Sequence, residues 1–464
     1  MLQSSPRDPD RLLPADNRTR GTARSLYEAV ADAPIISPHG HVPVEWLAED
    51  RSFADPADLL VTHDHYVTRL LHASGIELAR LGVGGAPADP REVWRILSAH
   101  WHAFAGTASG YWLEEELSGI LGVHAVPSPE NADEVYDQID RWLARPENRP
   151  RSLFERFGIE VLATTDDPLD DLAAHRVVAR ELPGRVLPTF RPDRYVDPDA
   201  AAFVTDVERL LGATGSRADF PGYLAALQQR REHFLAAGAV SADHGVEDPV
   251  TIDLDAVEAD RLFARVLAGT SSADDRRLFR AHMLFQLARM SVEDGLVMTV
   301  HAGVLRNHHR ATLREHGPDT GHDIPVRTDF VRGLRPLLER FGTAPGFHLV
   351  LFAVDETVYS RELAPLAGFY PSVYIGAPWW FLDAPDAMAR FRSAVTETAG
   401  FSRGSGFVDD TRAFLSIPAR HDTARRADAA FLARLVSEGR LRLADAERII
   451  IDSVTAQPRR VFKL

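Results

Sequence analysis

Eight short runs rich in β-branched and aromatic residues recur along the chain. They lie at 33–41 (APIISPHGH), 159–167 (IEVLATTDD), 185–193 (RVLPTFRPD), 239–245 (AVSADHG), 295–303 (GLVMTVHAG), 348–356 (HLVLFAVDE), 372–380 (SVYIGAPWW) and 406–412 (GFVDDTR). Each ends in polar residues or meets Gly, Pro or Asp within a few positions, which marks a short strand with a turn behind it. Helical periodicity fills the intervals. In one, Ser272 and Asp275 form a Ser-x-x-Asp capping signal, the apolar Leu278, Met283, Phe285 and Leu287 follow, and Gly295 closes the segment. Another, 424–439, stops at Gly439. Eight strands alternating with helices predict an α/β fold, a parallel (β/α)8 TIM-type barrel whose reactive face lies at the C-terminal strand ends, where the polar tails fall. The spacing is uneven: 118 positions separate His41 from Ile159, far more than a crossover helix needs. The expectation is a single barrel domain over 1–464 with a mostly helical insertion over 45–155, after the first strand.

Composition narrows the chemistry. Cysteine is absent and Lys463 is the lone lysine, so thiolate ligands, a cysteine nucleophile, an internal Schiff-base lysine and a P-loop are excluded. A net charge of −15, with no basic stripe interleaved with aromatics, opposes nucleic acid as a partner. An anionic substrate would be repelled by that field at long range, so specific arginines have to attract it locally. With 45% hydrophobic residues, no basic-then-apolar leader and no run of 18 apolar residues, the expectation is a soluble, cytoplasmic protein with a sizeable core, no membrane partner and self-association into a homo-oligomer.

Three His-x-His pairs occur, His39/His41, His63/His65 and His100/His102, where chance places about 0.8 among 19 histidines in 464 residues. Context separates them. Residues i and i+2 of a strand face the same way, so His39 and His41, ending the first run, both turn toward the barrel mouth. His100 and His102 lie in a helical pattern, where positions two apart diverge, and read as packing residues. His63 and His65 open a helix of the insertion. Two imidazoles and a carboxylate make a common catalytic zinc set with a position left open. The last run supplies the carboxylate: Asp410 first, Asp409 second, with Arg412 two residues on and facing the same side if the strand persists.

The segments SPHGHVP, DHYVTRLL, LATTDDPLDDL, VLPTFRPD, SADHG, VHAGVLRN, GAPWWF and DDTRAFLS, in this order and at this spacing, resemble the uronate (glucuronate) isomerase family of the amidohydrolase superfamily from about Arg24 onward. The resemblance implies a (β/α)8 barrel with a helical insertion and interconversion of D-glucuronate with D-fructuronate and of D-galacturonate with D-tagaturonate. It implies His39, His41 and Asp410 as ligands of one zinc ion. His65 and Tyr66 match the family's His-Tyr pair, Arg191 its arginine after the third strand, His301 and Arg306 its fifth-strand block, and Trp379, Trp380 and Arg412 its late aromatic and arginine positions. One position departs from the pattern: Ser37 stands where the family commonly has an aspartate, which removes a supporting carboxylate and points to altered metal affinity or another sugar acid.

In an aldose–ketose isomerisation, Asp410, with His65, is expected to handle the hydroxyl proton of ring opening, and Tyr66 to move the proton between C2 and C1. Arg412 is expected to stabilise the phenolate or the enediolate, because a phenol is a weak base at neutral pH. Arg191 or Arg306 binds the substrate carboxylate through its forked donors. Of the two tryptophans, one is expected to pack and the other to face the sugar. His244 reads as structural. Two rivals share the barrel: a mononuclear metal-dependent hydrolase, and a catalytically silent sugar-acid binding protein. A binuclear hydrolase built on a carbamylated lysine after the fourth strand is disfavoured, because the chain has no lysine to place there.

Overall fold

A computed structural model describes residues 8–464; the first seven positions of the expected domain lie outside the described residues. Nine strands are present among the described residues: β1 Ile35–Ser37, β2 Ile159–Ala163, β3 Arg185–Leu187, β4 Ser241–Val246, β5 Val297–Ala302, β6 Val304–Leu305, β7 Ile324–Pro325, β8 Leu349–Ala353 and β9 Val373–Ile375. Parallel pairing gives one sheet ordered β1-β2-β3 and another ordered β4-β5-β8-β9, while β6 and β7 form a small antiparallel pair. Seven of the eight sequence runs thus become parallel strands. Those at the centre, β5 and β8, are buried along their whole length, as parallel strands covered on both faces must be. A bridge between Phe190 and Ala242 links the two sheets beyond β3.

The eighth run departs from expectation. Residues 405–411 form no ladder. Gly406 sits at φ +80° against the Pro458 ring, and Asp410 at φ +46°, so the two-residue repeat breaks at both points. The segment nonetheless runs between β9 and β1: Ser405 N donates to Ile375 O (2.9 Å), and His41 N donates to Thr411 O (3.0 Å).

Between β1 and β2 the described residues form helices and turns and no strand. This stretch does not carry a core of its own. Trp94, Leu97, Ile139 and Phe154 pack in one cluster with Ile35 of β1, Ile159 and Leu162 of β2, and Phe414. The helix Ala273–Asp294 realises its sequence signals. Ser272 and Asp275 form a reciprocal capping box, and Gly295 ends the helix at φ +84°. Ser272→Ala is expected to lower stability by about 1 kcal/mol, read from the denaturant midpoint at unchanged slope.

Candidate active site

His39 and His41 follow β1 directly, and both turn to the same carboxylate oxygen. Asp410 Oδ1 lies 3.1 Å from His39 Nε2 and 2.7 Å from His41 Nε2. The left-handed conformation of Asp410, tolerated by aspartate better than by most residues, aims the carboxyl at them. Burial lowers His41 to about 4, so its imidazole is neutral and its lone pair available at neutral pH. Burial also opposes protonation of His39, but the carboxylates of Asp243 and Asp410 outweigh it and raise this histidine. Asp410 is pushed up by burial, and its two histidines overcome that and hold it well below the ordinary carboxylate range. The three side chains, His39 buried and the other two half-buried, offer two imidazole nitrogens and a carboxylate within 4.8 Å of one another, a donor set that fits a divalent cation. Ser37, where an aspartate was expected, is fully buried, and its hydroxyl donates to the His39 carbonyl at 3.3 Å.

Beside this cluster, β4 and β5 in register bring a second group together. Asp243 Oδ1 accepts from Thr299 Oγ1 (2.6 Å) and pairs with His301 Nδ1 (2.7 Å), while Asp243 Oδ2 faces Arg191 Nη1 at 3.3 Å. The pairing fixes the His301 ring through Nδ1 and leaves Nε2 buried without a protein partner. The His301 ring stacks on Phe352 and His39 and meets Trp379 edge-on.

The far wall comes from the helical stretch. Asp64 caps the helix His65–Ala73, accepting from Tyr66 N at 2.8 Å, and so presents His65 and Tyr66 in its first turn. His65 stacks on Tyr66, lies edge-on to Trp380, and keeps a buried Nε2 without a partner. Burial, then Arg412, push His65 down to about 3, so it is neutral. Burial pushes the Tyr66 phenol up. Arg306 lies over the Trp380 ring at 4.8 Å and pairs with Asp323 (3.0 Å) and Asp319 (3.7 Å).

The eleven residues given a site role by the resemblance border one cavity of about 650 Å³: His39, His41, His65, Tyr66, Arg191, His301, Arg306, Trp379, Trp380, Asp410 and Arg412. Four of the eight described non-glycine residues at positive φ, Asn307, Asp319, Trp380 and Asp410, line it too, which places the strained backbone at the same spot. Arg412 borders the same cavity and pairs with Asp319 at 3.0 Å. The guanidinium over the Tyr66 ring belongs to Arg420. Some expectations are corrected. The two tryptophans do not divide into one packed and one facing the cavity; both border it, and both indole nitrogens are buried without a partner. His63 pairs with Asp58 and stands apart from the cluster, although it too borders the cavity. His100 and His102 fall on a break between helices, where their rings stack at 6.1 Å and His102 is exposed, so they are not buried packing residues. His244 is buried and bonded to Thr299 O (2.9 Å), a structural role as expected.

Three participants escaped the sequence reading. Asp243 was hidden beside His244, although period-two alternation along β4 separates their faces. Asp319 lies in a loop with no periodicity. Arg420 lies on a long helix among other arginines.

Fold and site together define an α/β protein with a candidate metal centre at the C-terminal ends of parallel strands. The model of the glucuronate isomerase family matches residues 17–460. A uronate isomerase of Corynebacterium efficiens is 51% identical over 469 residues, covering 100% of both chains. The crystal structure of glucuronate isomerase from Caulobacter crescentus superposes with a TM-score of 0.96 at 46% identity, over 99% of this chain and 97% of that one. A uronate isomerase from Thermotoga maritima gives 0.92 at 28% identity, over 98% and 99%. The chain belongs to the glucuronate isomerase family.

Proposed function

We propose that this protein is a uronate isomerase that interconverts D-glucuronate with D-fructuronate and D-galacturonate with D-tagaturonate. The observation that carries the reading is the content of one cavity. In a chain of net charge −15 it gathers a candidate metal cluster, a buried phenol and three arginines. Hexuronates need each part: charge neutralisation at the oxygens, a proton carrier at carbon, and forked donors for the carboxylate.

His39, His41 and Asp410 hold the metal, which we assign as zinc; when bound, it supplies Lewis-acid polarisation and orientation of the substrate oxygens. Asp410, assisted by neutral His65, moves the anomeric hydroxyl proton to the ring oxygen and opens the ring. Tyr66 takes the proton from C2 and returns it to C1, while the proton of the C2 hydroxyl passes to the C1 oxygen, so that no water is consumed. Arg412 holds the enediolate. Arg306, which spends Nη1 on its acidic neighbours, binds the substrate carboxylate with the rest of its fork, and Arg191 orients Asp243 and His301. Trp379 and Trp380 form the apolar wall against the sugar.

The reading extends to the architecture: the two sheets and the 405–411 segment close as a (β/α)8 barrel with a helical insertion, in a homo-oligomer of the cytoplasm. None of the described helices is long and apolar enough to cross a membrane. Proton NMR of each hexuronate in D2O with zinc-loaded protein tests the function. Ketose signals with loss of the C2 proton signal are expected, and chelation is expected to stop turnover until zinc is restored. Hydrolysis of esters or lactones without isomerisation, or binding without turnover, overturns the reading.

A further inference from the structure

The helix Ser416–Ser437 sends Arg420 into the protein behind the cavity wall, where it is 1% exposed. Its Nε donates to Ser416 Oγ (3.2 Å), and its Nη1 donates to Asp383 Oδ2 (2.9 Å) and to the Asp409 carbonyl (3.2 Å). The guanidinium carbon lies 3.8 Å from the centroid of Trp112 and 4.8 Å from that of Tyr66. Trp112 meets Tyr66 edge-on at 5.5 Å. One cation therefore touches the phenol ring, its aromatic support and the backbone next to Asp410.

A guanidinium cannot shed its proton, so its burial demands an anion nearby. The acids facing it are Asp64, Glu116 and Asp383, and burial pushes all three toward their neutral forms, Glu116 to about 8 and Asp383 to about 7. Asp383 pairs with Arg420 at 2.9 Å, and a phenolate formed at Tyr66, whose ring the guanidinium touches, draws on the same charge. The charged or titratable groups facing Tyr66 are His65, Arg69, Asp383, Asp410 and Arg420. Arg420 is the first of these to favour the anion. Arg412 is engaged by Asp319.

We propose that Arg420 is a positioning residue of the isomerisation: clamped by Asp383 and the Asp409 carbonyl, it fixes the Tyr66 ring against Trp112 and supplies the positive charge that its phenolate requires. The inference rests on Tyr66 as the proton carrier.

The test uses the zinc-loaded full chain. Arg420→Ala is expected to lower kcat by about 10²-fold with KM unchanged, and added guanidinium ion is expected to restore part of the rate. Arg420→Lys, which keeps the charge and guards against a folding defect, is expected to fall between the two. Introduced on top of Tyr66→Phe, Arg420→Ala costs nothing further, because the two residues act as a unit. A further readout needs no substrate: with Tyr66→difluorotyrosine, fluorine NMR follows the phenol titration, and Arg420→Ala is expected to raise its pKa. Additive losses, absence of guanidinium rescue or an unmoved fluorine titration overturns the proposal. Absence of hexuronate turnover by the parent protein overturns the isomerase reading instead, and the fluorine titration then decides the Arg420–Tyr66 coupling alone.

Discussion

Asp410→Asn is expected to yield a folded protein that loses its metal on dialysis and isomerises hexuronates at least about 10³-fold more slowly. The size follows from two jobs resting on one carboxylate. Asp410 is the anionic member of the candidate metal set, with one oxygen facing the Nε2 atoms of both His39 and His41. It is also the group proposed to carry the hydroxyl proton of ring opening. An amide of the same shape keeps the contacts and abolishes both the charge and the basicity. Asp409→Asn is the informative control, since that residue was the second candidate in the sequence. Its carboxylate turns away from the cluster, to His421 Nε2 at 3.3 Å and Thr411 N at 3.3 Å, and is 1% exposed. Its loss is expected to cost about 1 kcal/mol of stability and to leave metal stoichiometry intact. Metal analysis after dialysis, set beside thermal unfolding, separates the two variants. Full zinc occupancy in Asp410→Asn removes Asp410 from the ligand set.

The part of this site written in short-range periodicity was legible. A spacing of two at the end of an apolar run turns His39 and His41 to one side, and helix capping at Asp64 delivers His65 and Tyr66 together. The central parallel strands β5 and β8 announce themselves by mostly apolar runs, because a strand buried on both faces has few polar residues to spare. What failed has a common cause. The positive φ of Asp410 leaves no trace in side-chain pattern, so the last run looked like a strand. Helical periodicity likewise does not tell Arg420, Arg425 and Arg426 apart. The first reaches Tyr66, the second ties down the carbonyls of Ala31, Ala33 and Pro34, and the third pairs with Asp422. The first two destinations depend on which elements lie across the interface, and they lie up to 394 residues away in the chain.

Tyr66→Phe is expected to reduce kcat by about 10²- to 10³-fold while KM and zinc content stay near those of the parent. The phenyl ring keeps the edge-on contact with Trp112, the stack with His65 and the guanidinium above it, so nothing but the oxygen is lost. If that oxygen shuttles the proton between C2 and C1, exchange of the C2 proton with D2O and ketose formation fall together, since both pass through the same proton removal. Exchange that persists at the parent rate while ketose formation halts assigns C2 to another base. The pH profile supplies an independent check. Burial raises the Tyr66 phenol above its ordinary value, so at neutral pH it is almost wholly protonated, and the fraction able to act as base grows as pH rises. The parent kcat is therefore expected to climb through the alkaline range, whereas Tyr66→Phe, lacking the titrating group, gives a profile without that limb. A base held above its ordinary pKa is scarce at neutral pH but strong when present. That trade suits abstraction of a proton from carbon only where a fixed cation stands behind the phenol to lower the cost of forming it.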